Sequence, residues 1–157
     1  MYTILLLAEE ALHQHDVTRI ASLHDDEISV HVLVPAHAEH NRLIESLDEV
    51  ALGNLRDALD DDTHTPEQAE RDAMHAVNES VALFTAAGVE AKGSITGANP
   101  IPAAVEAVAQ YDADEIIVVT PPHLLTDALR RDWASRLRDK VKLPVLHAIS
   151  GTDRVVS

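Results

Sequence analysis

Two uninterrupted apolar runs, Ile4-Leu5-Leu6-Leu7-Ala8 and Ile116-Ile117-Val118-Val119, restrict this chain more than any other feature of it. A strand without polar alternation has no face to give to water, so it must be covered on both sides. Central strands of a parallel sheet meet that condition, because crossover helices lie on each face. Neither run approaches the roughly 20 apolar residues of a bilayer-spanning helix.

The remaining segments fall into an alternating order around these two runs. Thr3 to Ala8 is the first strand. Asp16 to His24 carries Val17, Ile20 and Leu23 at helical spacing behind Asp16 as a cap, and Ile28 to Val34 reads as a second strand stopped by Pro35. Leu43, Leu47, Val50 and Leu55 mark a helical insertion at about 41–59, weakened at Gly53. After the acidic turn Asp60-Asp61-Asp62, Thr65-Pro66-Glu67-Gln68 combines a capping hydroxyl, a first-turn proline and a Gln three residues on. The helix that follows has Met74, Val77, Val81 and Phe84 as its expected buried stripe and Gly88 as its stop.

Val89 to Thr96 is sparsely apolar and therefore an edge strand, followed by a turn at Gly97-Ala98-Asn99. Asn99-Pro100 opens a helix with Ile101, Ala104, Val105 and Val108 on one face, and Glu115 to Thr120 is the next strand. Leu129, Trp133, Leu137 and Val141 give a last helix, and Val145 to Ile149 a last strand. Strands alternating with helices imply one α/β domain over 1–150 with parallel strands and right-handed crossovers, leaving 151–157 as a C-terminal tail.

Composition narrows the function. With 12 Lys+Arg against 27 Asp+Glu the formal charge is −15, and only Arg130 to Lys142 is locally basic, so nucleic acid is not an expected partner. The excess acid fits either a salty cytoplasm or a simple need for solubility. Cysteine is absent, which removes disulfides and thiol chemistry. Met1 leads straight into a strand-like run with no basic region before it, so a cytoplasmic, membrane-free location is expected. Aromatic residues make up 3% of the chain, so the core has to be aliphatic and alanine-rich.

The second half of the chain has a recognisable order: Gly97-Ala98-Asn99-Pro100, a helix, Tyr111-Asp112-Ala113-Asp114-Glu115-Ile116-Ile117-Val118-Val119, a helix, then Leu143-Pro144-Val145-Leu146. Together with Ile4 to Ala8 and His31-Val32-Leu33-Val34, it resembles the universal stress protein family across the whole domain. The resemblance implies a single five-stranded parallel sheet, doubly wound and flavodoxin-like or Rossmann-like, with strand order 3-2-1-4-5. It also implies a dimer, in a family with an ATP-binding branch and a branch that does not bind ATP.

The ATP-binding branch carries two glycines in the loop after the fourth strand and, further on, a Gly followed by Ser or Thr. Thr120 to Trp133 contains no glycine, and Pro121 and Pro122 have no N–H to present to a phosphate. Aligned back from Pro144, the family's Gly-Ser pair falls on Arg131-Asp132, and the opening strand's usual Asp is replaced by Glu9. No cofactor is therefore expected, and ATP is disfavoured. The alternative is a divergent nucleotide binder using Glu9, Val34, Thr120, His123, Arg130 and Arg131, with the two guanidinium forks replacing the glycine cradle.

Ten histidines stand out. His13, His15, His37, His40 and His123 all follow strands on the carboxyl side, where open α/β sheets bind ligands, so a metal- or pH-responsive cluster is a third reading. Their spacings match no metal signature, and solvated loop histidines are the plainer reading. His31 and His147 sit within strands as expected satisfied core or interface residues, and Trp133 as a core or dimer anchor. Gly-x-Ser-x-Gly, P-loop and Gly-x-Gly-x-x-Gly patterns are all absent, so no enzyme is expected. The expected function is a universal-stress-protein-like stress-response regulator or binding module. It would act on an unknown protein partner as a homodimer paired through the last strand, whose apolar edge needs a cover.

Overall fold

The computed structural model describes residues 2–23, 27–36, 66–97, 99–120, 128–151 and 155–156, with 66, 128–132 and the last two by their backbone alone. The insertion expected at 41–59, the Thr65 cap, His24 and the loop 121–127 lie outside the described residues.

Strand β1 (Tyr2–Ala8) runs through the middle of the sheet, and Ile4 to Ala8 are each 0% exposed. It pairs in parallel with β2 (Ile28–Pro35) on one side, Leu5 opposite His31, and with β4 (Glu115–Thr120) on the other, Leu7 opposite Val118. Beyond β2 lies β3 (Glu90–Thr96), and beyond β4 lies β5 (Val145–Ile149), giving five parallel strands in the order β3-β2-β1-β4-β5. A two-residue strand, β6 (Val155–Val156), adds to β5 antiparallel, with His147 opposite Val156. Part of the expected tail is thus built into the sheet.

Two apolar layers cover the faces. One joins Ile4, Leu6, Ala8, Val32, Val34, Ile117 and Val119 to helix α1 (Gln14–Ala21) and helix α2 (Pro66–Ala86). The other joins Leu5, Leu7, Leu33, Ile116 and Val118 to α3 (Ile101–Tyr111) and α4 (Ala128–Lys140). Odd and even positions of β1 thus feed opposite layers, which is why its sequence has no polar alternation.

Three local expectations are corrected. Helix α1 starts at Gln14, so Asp16 lies in the first turn rather than at the cap, which is His13; the helix stops at Ala21 and Leu23 beyond it is exposed. On α2 the buried stripe is Ala73, Ala76, Val77, Ser80 and Phe84, while Met74 is 41% exposed. The stripe is turned towards small side chains because α2 sits close against β3: a Cβ on Gly93 would collide with Val77 Cγ1 and lie 3.2 Å from both Val81 Cγ2 and the Val32 carbonyl oxygen. Pro35 is included in β2 as its last rung, opposite Thr96, rather than lying just beyond a strand that ends at Val34, and Ala36 N–H then donates to Thr96 O at 2.9 Å. Trp133 and Leu137 are buried in the α3–α4 layer, and Val105 and Val108 are half-buried beside it.

The close approach of α2 gives a direct test. Gly93→Ala is expected to cost about 1–3 kcal/mol by overpacking, seen as a lower urea midpoint with an unchanged slope. A midpoint equal to that of the parent chain would mean that α2 stands further from the sheet.

Candidate functional site

The order β3-β2-β1-β4-β5 reverses direction of winding between β1 and β4, and the carboxyl ends of those two strands flank the crevice where such sheets hold ligands. Pairing continues just past β1, where Glu9 N–H reaches the Val119 carbonyl at 3.4 Å, and the Glu9 residue is buried. On the other side of the crevice Thr120 ends β4, 1% exposed. Its hydroxyl lies 2.8 Å from His147 Nε2, within the layer that α4 covers, and its carbonyl accepts Ser150 N–H at 2.9 Å. Val34 is buried in the opposite layer, near the end of β2.

Of the remaining expected site residues, Arg130 and Arg131 fall in the first turn of α4, the helix that follows β4. His123 is outside the described residues, as are His37 and His40. His13 and His15 are exposed at the start of α1. Among the described residues no three His, Cys, Asp or Glu side chains stand close enough to hold a metal ion.

One arrangement escaped the sequence reading altogether. The buried Asp16 carboxylate accepts three hydrogen bonds: from His13 N–H at 3.0 Å and Ser150 Oγ at 2.7 Å through Oδ2, and from Gly151 N–H at 2.8 Å through Oδ1. It fastens the first turn of α1 to the end of β5, 134 residues away in sequence. Gly151 has φ +74°, a left-handed turn suited to glycine, and this bend brings its N–H to the carboxylate. The signal available in the sequence was a Ser-Gly pair directly after the last strand; nothing in it named Asp16 as the acceptor. Beside this clasp, the buried Ser80 hydroxyl on α2 accepts Leu12 N–H at 3.0 Å, holding the turn between β1 and α1 against α2.

The two strand histidines differ. His147 is satisfied by Thr120, as expected. His31 is buried and stacks on Tyr111, ring centroids 4.0 Å apart at 26°, but its Nε2 has no hydrogen-bond partner among the described residues. The expected polar partner is replaced by an aromatic face, which shields the ring without bonding its nitrogen.

The class defined by this fold is a doubly wound parallel α/β domain with a crevice at the carboxyl ends of β1 and β4. No protein-family model matches the sequence, and no curated protein matches it. Solved structures do. A universal stress protein from Archaeoglobus fulgidus superposes with TM-score 0.50 at 14% identity, covering 96% of this chain and 94% of the other. The universal stress protein from the same organism in complex with dAMP gives TM-score 0.51 at 15% identity over 95% of this chain and 98% of that one. A universal stress protein family protein from Arabidopsis thaliana with AMP bound gives 0.52 at 12% identity, covering 96% and 94%. The chain has the fold of the universal stress proteins.

Two predictions follow from this geometry. Asp16→Ala strips three donors of a charged acceptor, one of them the buried Ser150 hydroxyl, and is expected to lower stability by about 3 kcal/mol in urea titration, with Asp16→Asn between it and the parent. The second concerns pH. Burial holds the imidazoles of His147 and His31 below the ordinary histidine range, with Arg138 lowering the first further and Lys92 the second. The folded chain keeps both neutral while the unfolded chain takes up protons near pH 6.5, so their contribution is complete above that pH. It is lost as the pH falls from about 6.5 towards the lowered native values. The melting temperature should therefore drop on acidification through this window, and His147→Gln should flatten the drop; an unchanged slope in that variant would exclude His147 as a source.

Proposed function

We propose that this chain is a cytoplasmic universal-stress-protein-like binding module, of the branch without a glycine phosphate loop, and a stress-response regulator rather than an enzyme. The chemistry of the β1–β4 crevice carries this reading. After β4, where a phosphate cradle would present backbone N–H groups, this chain has no glycine from Thr120 to Trp133. Pro121 and Pro122 subtract two N–H donors from that loop. The Thr120 hydroxyl is engaged by His147, and the Asp16 carboxylate takes up the N–H groups of His13 and Gly151. An overall charge of −15 adds long-range repulsion against a polyphosphate.

Because solved proteins of this fold hold AMP and dAMP, adenine nucleotide is the ligand against which the reading is tested. Calorimetric titration with ATP and Mg²⁺, at low salt and again at high salt where repulsion is screened, is expected to give no saturable heat. Micromolar binding in either condition would overturn the reading in favour of the divergent nucleotide site. The placement of Arg130 and Arg131 in the first turn after β4 is the observation favouring that second reading. If ATP binds, the double variant Arg130→Ala, Arg131→Ala separates a side-chain clamp, which it would abolish, from a backbone site, which it would leave. Pairing of a second copy through the edge of β5, where β6 lies in this structure, belongs to the same reading, and the pair would act on a protein partner.

A further inference from the structure

The outward edge of β5 is closed by the chain itself, in two ways at once. Backbone groups of alternate residues in a strand point to opposite edges. Pro144 O accepts from Ile116 N–H at 3.0 Å and Ser150 N–H donates to Thr120 O at 2.9 Å, so the even-numbered residues face β4. Residues 145, 147 and 149 consequently face away from β4, where a further strand would pair. Val145 O is occupied by the Arg138 guanidinium, from Nε at 3.3 Å and Nη2 at 2.9 Å. His147 is opposite Val156 of β6 in the antiparallel ladder. The root of β6 is fixed as well, because Ser150 and Gly151 are bound to Asp16.

We propose that β6 and Arg138 form a removable strap on the β5 edge, and that the surface beneath it fits β5 of a second copy of this chain. This rests on the homodimer reading given above and adds the condition under which the dimer forms. The choice of a second copy comes from the register. An antiparallel partner must match outward-facing residues with outward-facing residues, and β5 against itself pairs 145 with 149 and 147 with 147, all of them outward. The two-fold axis then passes through the His147 pair, and the incoming strand runs in the direction that β6 already takes. The covering strand and the second copy compete for the same His147 rung.

That competition favours the strap in the intact chain. Only residues 150–154 connect β5 to β6, and so short a tether gives an effective concentration on the order of millimolar. Two copies each carrying −15 also repel one another. Opening the edge therefore requires weakening the strap, by loss of the β6 rung, by loss of the Arg138 contact, or by an event that pulls the C-terminus away.

The test uses the full-length chain. Val156→Pro removes the N–H that β6 offers to the His147 rung, and Arg138→Ala frees Val145 O without touching the core, since Arg138 is exposed. Sedimentation velocity over a concentration series, at moderate and high salt, should find the parent monomeric and the double variant dimeric. The expected change is a dissociation constant at least about tenfold lower in the variant. Amide exchange should show the His147 N–H protected in the parent and, in the variant, protected only at concentrations where the dimer forms. A parent that already dimerises as tightly as the variant would overturn the strap while leaving the homodimer reading standing. A folded variant that stays monomeric at every concentration, with the His147 amide exchanging freely, would overturn both. Should Val156→Pro fail to fold, Arg138→Ala alone carries the same comparison with a smaller expected shift.

Discussion

Between Ile4 and Ala8 strand β1 exposes nothing, and it has a parallel neighbour on each edge and an apolar layer on each face. Every other element is placed by the need to enclose it. Parallel neighbours require crossovers, the crossovers have to be helices long enough to span the sheet, and two faces require helices on both sides. The direction of winding must then reverse at β1, with β2 and β3 on one side and β4 and β5 on the other. The crevice at the ends of β1 and β4 is a by-product of covering the most apolar strand, and it exists before any ligand is considered.

What fills that crevice separates this chain from a phosphate-binding domain of the same shape. Its polar groups are already matched to one another: Thr120 with His147, and Asp16 with His13, Ser150 and Gly151. N–H and O–H donors that already have a carboxylate acceptor are unavailable to an incoming anion. The pairings of Thr120 with His147 and of Asp16 with Ser150 and Gly151 also tie together segments distant in sequence.

The parts of the fold visible in the sequence were those written in large apolar side chains. Ile4 to Ala8, Ile116 to Val119 and the buried Trp133 needed only periodicity and hydrophobicity to be placed. Features written in small or polar residues were missed. Side-chain size points to Met74 over Ala73, Ala76 and Ser80, whereas the approach of α2 at Gly93 rewards small side chains. Proline marks the end of β2 correctly, but not that Pro35 itself is the last rung, since a strand's last rung does not need its N–H. Asp16 was recognised as a helix-start residue, but its tie to Ser150 spans 134 positions, and no local pattern encodes such a pairing. The strand β6 is two residues long, below what alternation can reveal. At the site, the missing glycines were legible and the internal pairing of Thr120 with His147 was not.

The tie between Asp16 and Ser150 also has a consequence for the order of events during synthesis. The first helix leaves the ribosome with a carboxylate two of whose three partners, Ser150 and Gly151, are made 134 and 135 residues later. The central strand is in the same position, because β4, which starts only at Glu115, is made long after β1 ends at Ala8. Until those later residues emerge, the chain carries its most apolar strand half-paired and its first helix unlatched. Contacts of such long range delay completion of the native state and leave an open strand edge in the interval. For this chain, protection of that edge by chaperones during synthesis would matter more than the stability of any single helix.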